Sequence, residues 1–221
     1  MDENLITDET RDLMEERAAV YEFLSIAFGE EVPLAFLASL RDGAPALDGE
    51  LGAFVASLAD ADDAALASLR TDLAAEYARI FLGMSRSPVA PYESVYTSET
   101  GLLMQEARDE VLAVYRSEGL DKLPSWKESE DHIALELEFM AVLGDRIVTA
   151  AEAADEAEVE RLLSTQRNFL EDHLASWAPL MTADLRRFAQ CGLYQGLASL
   201  TDGFLQVEEE FFDEIFETEG E

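Results

Sequence analysis

Apolar residues recur at spacings of three and four along nearly the whole chain, and period-two alternation is almost absent, so the pattern predicts an all-α protein. The first helix is expected over residues 8–28, with Leu13, Arg17, Val20, Tyr21, Leu24 and Phe28 on one stripe and Gly29 as its stop. Shorter helices are expected over 33–40 and 47–58. Asp62 can cap the next helix, whose stripe is Leu66, Leu69, Leu73, Tyr77, Ile80 and Phe81, ending at Gly83. Residues 83–97 then break the pattern, with Pro88, Pro91 and aromatics in no helical stripe. Ser98 is expected to cap a helix that stops at Gly119. Residues 119–128, with Pro124 and Trp126, form a second irregular stretch, and Ser129 is expected to cap a helix through Ile133, Leu137, Met140, Leu143 and Ile147. Three further helices complete the chain: 155–177, stopped before Pro179; one capped near Thr182 and running past Leu197; and one after Asp202. One helical domain over 1–221 is expected, with residues 1–7 and about 209–221 frayed, since from Glu208 onward the chain holds eight acids and no base.

Charge narrows the partners. Against 15 bases stand 48 acids, a formal charge of −33. Such a surface repels phosphate backbones and anionic lipid, which argues against nucleic-acid and membrane-surface roles, and it attracts basic peptides. The same acidity would also serve solubility or a salty cytoplasm. No apolar run is long enough to span a bilayer, and the acidic start lacks the features of a secretory signal, so a cytoplasmic location is expected. Cys191 is the single cysteine, which leaves no internal disulfide and no Cys-based metal cage.

Several chemistries can be tested on the residues. The only lysines, Lys122 and Lys127, follow Asp121 and Trp126, so there is no P-loop, and no glycines stand two apart as a dinucleotide fingerprint requires. Gly192 and Gly196 have nucleophile-elbow spacing, but Tyr194 occupies the serine's place. His132 and Glu136 share a helix face, yet neither His132 nor His173 follows a Glu by three residues, as paired carboxylate metal sites require. Cys191 lies among Phe188, Leu193 and Tyr194, the usual setting of a buried structural thiol.

Two constellations carry more. In the first, Tyr77 and Phe81 end a helix and Pro91, Tyr92, Ser94 and Tyr96 follow in the irregular segment; prolines fix its path and aromatics offer large contact areas, which suits either a peptide groove or a lid on the protein's own core. In the second, Glu130, Asp131 and His132 open a long apolar helix. First-turn acids suit the helix dipole, but carboxylates beside a groove would also receive arginines, and the histidine could switch protonation near neutral pH.

In combination, Tyr77-x-x-x-Phe81-x-Gly83, Pro91-Tyr-Glu-Ser-Val-Tyr96, Glu130-Asp131-His132 and Phe169-Leu-x-x-His173-Leu-x-x-Trp177-x-Pro179 resemble the TorD/DmsD/NarJ family. The resemblance runs from about residue 14 to about residue 200. It implies an all-helical, single-domain cytoplasmic chaperone without enzyme activity or cofactor, monomeric or homodimeric. The implied partner is the catalytic subunit of a molybdenum-cofactor oxidoreductase. The chaperone would bind that subunit's twin-arginine signal peptide and delay export until the cofactor is inserted. By matching position, the implied peptide-binding residues are Phe81, Pro91, Tyr92, Ser94, Tyr96, Asp131 and His132, with Tyr77 on the same helix as Phe81. Family members often carry Trp where Tyr92 and Tyr96 stand and a proline where Ser129 stands, so the resemblance names no particular client. Two other readings of the residues are a small metal-dependent enzyme using His132, Glu136 and His173, and an adaptor binding basic proteins through acidity alone.

Overall fold

A computed structural model describes residues 7–43 and 47–217, and among the described residues the only regular secondary structure is helical, with no strand. Ten α-helices occur in the order α1 (Asp8–Gly29), α2 (Leu34–Gly43), α3 (Gly49–Leu58), α4 (Asp63–Phe81), α5 (Glu93–Thr97), α6 (Glu106–Ser117), α7 (Ile133–Glu152), α8 (Glu156–Phe169), α9 (Ala175–Phe188) and α10 (Gly192–Glu217), with a π-helical turn at Leu170–Leu174. The all-α expectation is met. Asp62 caps α4 as expected, accepting from the Ala65 N–H at 2.8 Å.

Contacts gather the chain into two compact units, each built from discontinuous segments. One comprises Met1–Ser25, Tyr92–Trp177 and Phe204–Glu221; the other comprises Ile26–Pro91 and Ala178–Gly203.

In the first unit α7 is buried along most of its length. Gly144 lets α1 come close: a Cβ there would fall 2.9 Å from that of Ala18. Arg17, on the stripe expected to be buried, is 6% exposed and reaches Glu208 through Nε–Oε1 at 2.7 Å and Nη2–Oε2 at 2.6 Å. Tyr21 donates to the same carboxylate at 2.8 Å, and Phe212 is buried nearby in sequence. These anchors correct the expectation of a frayed acidic tail: residues 209–217 continue α10. Of the residues expected to fray, 1–6 and 218–221 lie outside the described residues.

In the second unit α3 and α10 touch at Gly196, where a Cβ would lie 2.5 Å from the Leu51 nitrogen. Tyr77, Phe81 and Tyr194 pack as an aromatic cluster, with ring centroids 5.0 Å apart for Tyr77–Phe81 and 5.6 Å for Phe81–Tyr194.

Four local expectations change. Residues 98–105 are not helical, because the chain turns at Gly101 and Met104, both with positive φ (62° and 56°). The cap of α7 is His132 rather than Ser129. Pro179 lies inside α9; the π turn has already shifted the hydrogen-bond register just ahead of it, so the proline removes one bond at a junction instead of breaking a regular run. Thr182 is therefore interior, its hydroxyl 3.0 Å from Pro179 O, and α10 runs unbroken through Asp202.

Candidate functional site

Helix α5 is too short to hold itself. Its five residues leave most backbone groups without helical partners, and the chain supplies those partners from the residues just before α7. The Glu93 N–H donates to Asp131 O at 3.0 Å, forming with Tyr92 and His132 an isolated antiparallel bridge. The Ser94 N–H donates to Asp131 Oδ2 at 2.9 Å, and the Ser94 hydroxyl donates to the same oxygen. Ser94 Oγ in turn accepts from the Gln105 N–H at 3.1 Å, which ties down the start of α6. Both Ser94 and Asp131 are 0% exposed. Asp131 thus works as a cap supplied from a distance, buried under the helix it holds.

His132 is also buried, and its Nδ1 accepts from the Ala134 N–H at 3.1 Å, which leaves the ring proton on Nε2. Burial pushes the imidazole down to about 4, against the upward pull of the Asp131 charge. It is neutral at pH 7, which corrects the expectation of a switch near neutrality. Tyr92 and Trp126 each meet the His132 ring edge-on, at centroid distances of 5.1 Å and 5.4 Å. The Tyr92 hydroxyl donates to the Glu128 carboxylate, which is exposed. Tyr92, Tyr96 and Trp126 are half-buried, so part of each aromatic surface faces solvent. Tyr96 stacks at 5.7 Å on Trp177, which is wholly buried.

Beneath α5 lies a buried polar cluster in which Glu136 and His173, named from the sequence only as candidate metal residues, meet Glu93 and Trp177, a pairing that sequence reasoning missed. Glu93, 3% exposed, sits 3.0 Å from His173 Nδ1 through Oε2. Glu136, 0% exposed, accepts from the Trp177 indole N–H at 3.0 Å. Burial, with the Glu93 charge adding to it, pushes the Glu136 carboxyl well above the usual carboxylate range. The available signal was the pairing of His173 and Trp177 one turn apart, together with an acid between Tyr92 and Ser94. Nearby, Glu130 is salt-bridged to Arg108 at 2.6 Å and Lys122 at 3.1 Å; although burial acts upward, these partners hold it down at about 2.

The structure therefore brings together Tyr92, Ser94, Tyr96, Asp131 and His132 in the first unit. Tyr77, Phe81 and Pro91 belong to the second unit and are buried there. Among the described residues no group of three or more His, Cys, Asp and Glu is placed to hold a metal ion. His132, Glu136 and His173 each spend a ring nitrogen or carboxylate oxygen on a protein partner. No described helix is long and apolar enough to cross a membrane.

Comparison with known proteins bears on this arrangement. The family model described as "Nitrate reductase delta subunit" matches residues 44–183. The chain is similar to "Chaperone protein TorD" of Vibrio cholerae serotype O1 (El Tor Inaba N16961), at 30% identity over 95% of this chain and 97% of that protein. It is also similar to "Chaperone protein TorD" of Vibrio parahaemolyticus, at 29% identity over 90% of this chain and 96% of that protein. A third similarity is to the TorD chaperone of Photobacterium profundum, at 31% identity over 63% of each chain.

Proposed function

This chain belongs to the nitrate reductase delta subunit family, and from that membership we propose that it is a cytoplasmic chaperone for the maturation of a molybdenum-cofactor oxidoreductase, not an enzyme. Its ligand is the twin-arginine signal peptide of the immature catalytic subunit, held until the cofactor has been inserted. The observation that carries this reading is the near full-length similarity to TorD chaperones. The geometry supports it: half-buried Tyr92, Tyr96 and Trp126 lie on a framework pinned from below, with the exposed Glu128 carboxylate on the Tyr92 hydroxyl. Fixed aromatics give contact area at little entropic cost, and a carboxylate beside them receives a guanidinium by charge-assisted hydrogen bonds. In this reading Tyr92, Tyr96, Trp126 and Glu128 touch the peptide, while Ser94, Asp131 and His132 position them from beneath.

Titration of a synthetic peptide with two adjacent arginines and a leucine-rich segment into Tyr92→Ala and Tyr96→Ala variants tests the surface. Truncating an aromatic anchor commonly costs about 2 kcal/mol, near a thirtyfold loss of affinity, with melting little changed. Normal binding by variants that melt much earlier would make the loop a lid on its own core.

A further inference from the structure

Beside the loop that carries Trp126 and Glu128 lies a groove. It opens between the end of α6, the 118–128 loop and α7, with Tyr115, Leu135, Phe139 and Val142 as apolar lining and Leu123 at its edge. Its volume is about 110 Å3. An engineered apolar cavity of about 150 Å3 holds benzene, so this space takes one branched aliphatic side chain. The lining is firm: Tyr115 and Phe139 pack with centroids 4.8 Å apart. The loop above is fastened by Leu120 N–H to Tyr115 O at 2.9 Å, and by Lys122 Nζ to Glu130 Oε1 at 3.1 Å and Glu128 O at 2.5 Å.

Leu123 is 70% exposed at the mouth, so its apolar surface adjoins the apolar lining of the groove. Charge says what kind of chain would cover it. Asp121 and Glu138 are exposed lining residues with no salt-bridge partner among the described residues, while Lys122, the cation in the lining, is already bonded to Glu130. A second copy of a chain with formal charge −33 would bring more acid to this rim, so self-association is disfavoured here. The loop that edges the groove also carries Trp126, whose backbone N–H closes a turn onto Leu123 O at 2.9 Å.

We propose that this groove seats an apolar side chain of the client's leader peptide, flanked in that peptide by a basic residue that meets Asp121 or Glu138. The inference rests on the peptide-binding reading above and adds to it where the leader's apolar segment lies. Discrimination of the leader by the size of that side chain follows, since the space is bounded.

The test uses the full-length protein and the same arginine-leucine peptide, together with a version whose leucines are replaced by alanine. Val142→Trp fills the groove and should bind the leucine peptide about tenfold more weakly, while binding the alanine peptide as the wild type does. Leu123→Ala, at an exposed position that folding does not depend on, should weaken the leucine peptide by about threefold. Glu138→Gln should weaken both peptides and flatten the salt dependence. If Val142→Trp with an unchanged melting temperature, and Leu123→Ala, both bind the leucine peptide normally while Tyr92→Ala does not, the groove is empty in the complex and the inference falls alone. If the wild type does not bind the peptide, or Tyr92→Ala is equally harmless, the peptide-binding reading falls with it.

Discussion

The Asp131 carboxylate is fully buried and accepts two hydrogen bonds from Ser94, so its replacement by Asn is expected to act on stability first. Losing a buried, charge-assisted bond that caps α5 should cost about 1–3 kcal/mol in urea denaturation. Peptides with arginine or glutamine at the paired positions should then weaken alike, with no coupling to Asp131. A loss confined to the arginine peptide, at unchanged stability, would instead put the carboxylate against the ligand. His132 gives a second test at this scale. Its folded pKa of about 4 lies below that of a free imidazole, about 6.5, so on acidification the unfolded chain takes up the proton first. The stability tied to neutral His132 is present above about pH 6.5 and lost as pH falls towards about 4, amounting to about 3 kcal/mol. Glu136, raised in the folded state, acts in the opposite direction as pH rises, so the difference between wild type and His132→Asn is the quantity to measure. Between pH 7 and pH 5 the wild type should lose stability that the variant does not. Parallel losses would place His132 outside this role.

At the scale of elements, the long amphipathic helices were legible because their information is local. α4 shows its stripe and its Asp62 cap within one stretch of sequence, and the buried face of α7 follows the expected spacing. What was not legible depends on residues far apart. α5 exists because Asp131, 37 positions beyond Ser94, caps it, and no local pattern announces that partner. α10 stays helical through its acids because Glu208 meets Arg17, 191 positions away. The same limit held at the site. The resemblance put Tyr92, Asp131 and His132 in one peptide-binding set, but burial and direction, which separate a residue that touches ligand from one that supports it, come only with packing. Two glycines of α10 make the packing argument testable. Gly196→Ala drives a Cβ to 2.5 Å from the Leu51 backbone and should destabilise by about 1–3 kcal/mol in thermal or urea unfolding. Gly203→Ala meets nothing within 4 Å and should stabilise by about 0.5–1 kcal/mol. Equal effects at the two positions would contradict the close approach of α3 and α10.

For the molecule as a whole, the formal charge of −33 and the exposed acids at Asp121, Glu128 and Glu138 attract basic peptides and make the affinity for the proposed leader depend on salt. Acidity alone, however, would attract any cation-rich sequence. The chaperone reading demands more, namely that two adjacent arginines be recognised together with the apolar segment beside them. Calorimetric titration of the wild-type protein with the two-arginine leader peptide and with the same peptide carrying two glutamines tests this most directly, each at about 0.15 M salt, where charges beyond about 8 Å are screened. The account predicts saturable one-to-one binding of the arginine peptide, and at least tenfold weaker binding of the glutamine peptide, since charge-assisted bonds to carboxylates are lost. Equal affinity for the two peptides, or no binding of either, would contradict it.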